Sequence, residues 1–337
     1  MHTPRRITAI VLSALLATTA ATAAVATSPR PGPAHAHQSL LTDGLSGGGG
    51  STVGPDGALY VTEPQSGEVS RIDRRTGQVS TFASGLPERE RPGGALDVAF
   101  LGRTAYVLVT LADPEVSGLY RVGRGGSVTP VADIGAWSVE HPPETDFFVP
   151  SGVQFALETY RGAFLVTDGH HNRVLRVTPR GSITEVLTLG NVVPTGLETV
   201  GRTVLVSQAG PVPHLPRDGK VVAFRPGRSG VHEVASGGRL LVDVEKGRGG
   251  LYALAQGMFT PGNPEGSPAD RDTGQLMKVG RDGTLRAVAV GLDRPTSVEI
   301  VRDKAYVVTL DGEVWTVQLG HGHGHGHGHG HGHGGGR

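Results

Sequence analysis

GAFLVTDGHHNRVLRVTPRGSITEVLTLG, residues Gly162 to Gly190, breaks into three short apolar runs separated by turn-forming residues. Phe164-Leu165-Val166, Val174 to Val177 and Ile183 to Leu187 are too short for helices and rich in strand formers. A polar loop, Asp168 to Asn172, lies between the first two runs, and a Pro179-Arg180-Gly181 turn between the second and third. Three antiparallel strands follow from this spacing.

The same unit recurs along the chain. Leu59-Tyr60-Val61, Ala105-Tyr106-Val107, Val204-Leu205-Val206, Leu251-Tyr252-Ala253 and Ala305-Tyr306-Val307 match Phe164-Leu165-Val166. A third strand follows each, and a short inner strand such as Leu96 to Phe100 or Val298 to Val301 precedes it. Four strands per unit, at a period of roughly 40–50 residues, predict an all-β, six-bladed β-propeller. Seven blades is the alternative if an insertion hides one. The sixth unit ends near Leu319 without a fourth strand, and Ser39 to Leu45 resembles the fourth strands elsewhere, such as Ser80 to Leu86. The front of the chain is therefore expected to supply the missing outer strand, Leu40 pairing with the strand of Trp315, which hides an aggregation-prone edge.

Export is expected from the first residues. Arg5 and Arg6 precede an apolar stretch from Ile7 to Ala26, ending in a small-x-small cleavage pattern, Ala24-Val25-Ala26. The organisation read from sequence is a signal peptide (1–26), a linker (27–37), a propeller (38–319) and a His-Gly tail (320–337). Thr and Ser dilute the first segment and prolines follow it, which argues against a transmembrane anchor. With no cysteine among 337 residues, neither a lipid anchor nor a disulfide is available, so burial alone stabilises the secreted fold. Equal numbers of basic and acidic residues, 31 of each, argue against a sequence-independent grip on nucleic acid.

Gly54-Pro55-Asp56-Gly57-Ala58-Leu59-Tyr60-Val61 resembles the strand-turn-strand pattern of NHL-like propellers. Val193-Pro194-Thr195-Gly196, Leu96 to Phe100 and Pro295-Thr296-Ser297 resemble the ScyD/ScyE family over about Gln38 to Gln318. That family consists of exported propellers named for the scytonemin pigment pathway. The resemblance implies an exported propeller and carries over no catalytic residue; a monomer is expected. Gluconolactonase-type propellers bind a divalent ion through acidic and Asn residues where their inner strands begin. Ser151, Thr195 and Thr296 occupy the matching places here.

Three groups of residues are candidates for function. The loops between second and third strands, and those between blades, are long and should open on one face, the expected ligand face. Arginines such as Arg74, Arg103, Arg161, Arg202 and Arg302 fall in the short turns of the other face, where an anionic cell-wall component is a conceivable partner. Aligning the units places Thr52, Asp97, Gln154, Glu198, Asp243 and Glu299 at one inner-strand position facing the central channel. Converging acids there imply raised pKa values or a bound cation. His141, His170, His171 and His214 are expected on the long-loop face, where three imidazoles could hold Zn. The tail repeats His-Gly through His321, His323, His325, His327, His329, His331 and His333, a composition that binds Zn, Ni or Cu near neutral pH. No Gly-x-Ser-x-Gly, phosphate loop or zinc-protease helix is present. The expectation is a binding or accessory module for a small molecule or wall component, with a metal-dependent hydrolase or lyase using the loop histidines as the alternative.

Overall fold

The computed structural model describes residues 36–88, 93–110, 116–144, 149–212, 214–264 and 266–320. The expected signal segment, most of the linker and the tail histidines lie outside them. Among the described residues, no helix is long and apolar enough to cross a membrane.

Six four-stranded antiparallel sheets form the blades of a propeller. The first strand of the chain, β1 (Gln38–Thr42), belongs to the last blade. Blade 1 holds β2 (Ser51–Val53), β3 (Leu59–Glu63), β4 (Glu68–Ile72) and β5 (Val79–Ala83). Blade 2 holds β6 (Gly94–Leu101), β7 (Thr104–Thr110), β8 (Gly118–Val122) and β9 (Val128–Asp133). One helix, α1 (Ile134–Glu140), then leads to blade 3: β10 (Gln154–Tyr160), β11 (Ala163–Asp168), β12 (Arg173–Val177) and β13 (Ile183–Thr188). Blade 4 is β14 (Val193–Val200), β15 (Thr203–Gly210), β16 (Gly219–Phe224) and β17 (His232–Gly238). Blade 5 is β18 (Leu241–Gly247), β19 (Gly250–Ala255), β20 (Gly274–Val279) and β21 (Leu285–Leu292). Blade 6 is β22 (Pro295–Val301), β23 (Lys304–Thr309), β24 (Val314–Gln318) and β1.

The middle strands are apolar at successive positions because each blade is covered on both faces by its neighbours. Phe164, Leu165 and Val166 of β11 are all buried. Phe164 and Val166 join Tyr106 and Leu108 of blade 2, whereas Leu165 joins Val204 and Val206 of blade 4. Six such clusters occupy the six spaces between adjacent blades. Turn chemistry sets the hairpins. In Gly54-Pro55-Asp56-Gly57 the Gly57 amide donates to Gly54 O at 2.9 Å, and Gly57 takes φ of +79°, a conformation costly for other residues.

The ring closes as the sequence predicts. Leu40 pairs with Trp315, Ser39 with Thr316 and Gln38 with Val317. The Ser39 and Thr316 hydroxyls are 2.8 Å apart, and Gln318 N donates to His37 O at 2.9 Å. Behind this seam, Tyr306, Val308 and Val314 of blade 6 pack against Leu59, Val61 and Ile72 of blade 1. A chain lacking residues 36–44 exposes the β24 edge and loses its ladder. Its melting temperature should fall by about 10 °C relative to the same chain with β1, and light scattering should show association; an unchanged melting curve contradicts the role given to β1.

Candidate functional site

The inner strands β6, β10, β14, β18 and β22 each carry a register shift near their start. Such bulges re-aim side chains and add a residue to the count. Beyond the bulges the inner-strand acids stand on two levels, two residues apart along the strand. Glu158, Glu198, Glu245 and Glu299 stand opposite Leu165, Leu205, Tyr252 and Tyr306, which are equivalent positions on the second strands. Thr52 occupies the same level in blade 1, opposite Tyr60. Asp97 and Asp243 pair one level further along, with Leu108 and Leu254.

The expected single column therefore needs correction. Asp97, Glu198, Asp243 and Glu299 do converge, but on two levels, and Gln154 is not among them. Gln154 lies on the far side of the β10 bulge and is wholly buried. Its amide accepts from Thr110 Oγ1 at 2.9 Å and donates to Asp168 Oδ1 at 3.0 Å, tying blades 2 and 3. Glu158 takes the channel position in that blade. Glu158 and Glu245 lie four and two residues beyond the positions that residue counting selects, and only the cross-strand register places them at the channel.

These six acids line one cavity of about 490 Å³. Asp97 and Asp243, three blades apart, perform matching structural tasks. Asp97 Oδ2 accepts from Leu157 N of the next blade at 2.7 Å, and Asp243 Oδ2 accepts from Val298 N at 2.8 Å. Each needs a glycine beside it: a Cβ on Gly50 would lie 2.1 Å from Asp97 Oδ1, and one on Gly196 would lie 2.6 Å from Asp243 Oδ1. Thr195 and Thr296 are also blade-to-blade ties, donating to Leu241 O at 2.8 Å and Gly49 O at 2.7 Å. Beyond the acids the wall turns apolar, with Phe155, Leu157, Val242 and Leu240. Val212, His214, Leu215 and Phe259 come from the long loops, so the cavity reaches the expected ligand face.

Burial governs the charge of this floor. It raises Glu158 and Asp243 to about 7, and Asp97 well above the usual carboxylate range despite two backbone amides that favour its anion. Glu198 and Glu245 lie within hydrogen-bonding reach on adjacent blades; burial and the Glu158 charge raise Glu198, and burial with the charges of Glu299 and Glu198 raises Glu245 further. Burial and the surrounding acids push Glu299 well above the usual range. Near neutral pH the floor retains several protons, because like charges so close in a low-dielectric setting cannot all ionise.

The four loop histidines do not form one group. His170 and His214 line the cavity, near Phe155 and Phe259 with ring centroids 6.2 and 6.4 Å apart. Burial, with His214 close by, lowers His170 to about 4, so its ring is neutral at physiological pH. His171 is wholly buried in blade 3, its Nε2 2.6 Å from Val149 O and its Nδ1 3.2 Å from Asp168 Oδ2. His141 is exposed at the end of α1 and stacks on Trp137 at 4.2 Å. Among the described residues, no three His, Asp or Glu side chains are close enough to hold a single metal ion.

Asp168, read from sequence as the start of the polar loop Asp168 to Asn172, is an interior residue. Its Oδ2 accepts from Arg173 Nε at 2.9 Å, and Arg173 Nη1 donates to His141 O at 2.7 Å, at the carbonyl end of α1. Trp137 lies over the guanidinium at 4.9 Å. This buried charge pair fixes α1 against blade 3.

No family model and no curated protein matches the chain. Solved structures match its fold. A gluconolactonase from Xanthomonas campestris aligns at 15% identity over 85% of this chain and 90% of its own, TM-score 0.59. Virginiamycin B lyase from Staphylococcus aureus aligns at 12% identity over 84% and 98%, TM-score 0.53. The PQQ-bound aldose sugar dehydrogenase from Streptomyces coelicolor aligns at 13% identity over 85% and 99%, TM-score 0.56. At these identities the likeness is one of fold.

Two measurements test the site's electrostatics. Glu158, Glu198 and Asp243 hold protons in the native state up to about pH 7 that the unfolded chain releases near pH 4–4.5, so each makes stability fall as pH rises through that interval. His170 acts in the opposite sense between about pH 4 and 6.5 and offsets only one of them. Denaturation should therefore show lower stability at pH 8 than at pH 5, with Glu158→Gln removing on the order of 3 kcal/mol of the fall. Separately, Asp168→Ala removes the buried partner of the Arg173 guanidinium and leaves it the part-exposed Glu185 carboxylate at 3.5 Å, and should cost about 3 kcal/mol in urea unfolding; a loss under 1 kcal/mol is incompatible with a buried pair. The acids of the cavity and the Asp168–Arg173 pair thus answer to different experiments.

Proposed function

We propose that the protein is a small-molecule-binding propeller whose ligand enters from the long-loop face and ends against the inner-strand acids. The observation that carries this reading is a single continuous cavity, apolar near the loops and carboxyl-lined at depth, with a volume in the range of small-ligand sites. Hydrophobic loop residues supply affinity through buried area, and the acids select what reaches them. An exported accessory role of the ScyD/ScyE kind is the setting we infer. The hydrolase or lyase alternative now rests on His170 and His214 with the nearby acids, because His141 and His171 stand elsewhere.

Saturation-transfer NMR with a mixed library of cationic, neutral and anionic fragments tests the reading. Wild-type protein should bind fragments that Thr52→Trp, which fills the cavity from β2, does not. Thr52→Trp must keep the wild-type circular dichroism spectrum for the comparison to stand, with Ala209→Leu as the second filling variant. Fragments bound equally by the filled variants, or none bound by wild type, overturn it.

A further inference from the structure

The His-Gly repeat takes no part in the chemistry of the cavity, but the fold fixes the point from which it starts. The last strand, β24, ends at Gln318, whose N donates to His37 O at 2.9 Å across the seam. The Gln318 side-chain amide donates to Asp303 Oδ2 at 2.9 Å, and Leu319 N donates to Asp303 O at 2.7 Å. Leu319 itself is buried in the apolar cluster between blades 5 and 6. The chain is therefore anchored immediately before the first histidine of the repeat, His321.

The front of the described chain is anchored in the same place. Ala36 packs against that cluster, and its N donates to Val288 O at 2.8 Å. His37 follows and is exposed, and Gln38 begins the ladder by pairing with Val317. An exposed histidine thus stands at the root of a segment that carries seven more. Three residues take the chain from Gln318 to His321, a reach of at most about 11 Å. Glycine at every alternate position leaves the backbone free of the steric limits that would prevent its return to His37. Lys304 lies opposite Gln318 on β23, and the neighbouring Asp303 carboxylate balances its charge.

A metal ion held by the tail alone uses histidines close together in sequence, so the folded and unfolded chains hold it alike. An ion that also takes His37 distinguishes the two. His37 and His321 are the whole propeller apart along the unfolded chain, and closing so long a loop carries a large entropic cost. In the folded ring β1 and β24 have already brought them together. Such an ion joins the two ends of the ring much as a disulfide would, in a chain that has no cysteine.

We infer that a divalent transition-metal ion, of the Zn or Ni kind that prefers imidazole nitrogen, is bound by His37 together with histidines of the tail and clasps the β1–β24 seam. The ion exchanges water for imidazole nitrogens, with no redox or group-transfer step. The inference is independent of the reading of the cavity.

Calorimetric titration of the full-length protein with NiCl2 and with ZnCl2 at pH 7.5, paired with thermal melts in the presence and absence of each ion, tests it. Wild-type protein should bind the ions and melt at least about 3 °C higher with them, the shift expected when the folded ring holds the ion tenfold more tightly than the unfolded chain. His37→Ala keeps the backbone bond to Gln318, so it should melt like wild type without metal and still bind ions through the tail, yet lose the shift. A variant with the seven tail histidines replaced by serine should lose both binding and shift. Sedimentation should show a monomer throughout. Ions bound without a rise in melting temperature mean that the tail acts alone, and this overturns the inference. A shift retained in His37→Ala overturns it too, as does no binding at all. A shift that grows with protein concentration and accompanies a dimer assigns the ion to tails of two chains and overturns the clasp.

Discussion

Packing of each blade against two neighbours is the constraint on which the structure depends. A four-stranded sheet with two apolar faces cannot exist alone in water, and six of them bury those faces only when the ring is complete. The seam between the last and first blades is therefore equal in importance to every other interface. Tyr306, Val308 and Val314 meet Leu59, Val61 and Ile72 there, and β1 completes the sheet that carries them. The absence of disulfides gives this hydrophobic closure no covalent support. The polar ties between blades, from Thr195, Thr296, Asp97 and Asp243, operate inside a ring already held by apolar contact.

The same closure creates the electrostatic conflict at the centre. Inner strands of a closed ring must point alternate side chains at one another, and four glutamates at one level are brought together by geometry alone. Two aspartates escape part of the cost by accepting amides from the following blade, with Gly50 and Gly196 leaving space for them. The glutamates have fewer donors and respond by holding protons. Elsewhere a buried charge is fully matched: Asp168 and Arg173 neutralise one another, and Arg173 also reaches the carbonyl end of α1. One fold thus contains a paired ionic interior and a ring of like acids, and the ring of acids opens into the cavity.

Much of this was legible from residues in order. The stretch from Gly162 to Gly190 gives β11, β12 and β13 close to their actual limits, because strand formers and turn formers alternate without ambiguity. The pairing of Leu40 with Trp315 follows from a missing fourth strand, a counting argument that needs no coordinates. The inner strands resist such counting. The loops that enter them differ in length, so counting sets Gln154 beside Glu198, whereas the cross-strand register makes Glu158, opposite Leu165, the counterpart of Glu198, opposite Leu205. Asp168 and His171 look like loop residues because they flank Gly169-His170, yet Arg173 and Val149 draw both into the interior.

The sequence by itself determined the propeller architecture, the order of its units and the way the ring is closed, since these depend on local strand propensity and on repetition, while the folded ring settled six blades against seven. The tertiary structure alone decided which side chains meet. That outcome depends on bulges, on burial from neighbouring blades and on donors supplied by residues distant along the chain, none of which leaves a local trace. Hence the propeller could be read from the amino acids, whereas the separation of His170 and His214 from His141 and His171, and the gathering of six acids around one cavity, required the folded ring.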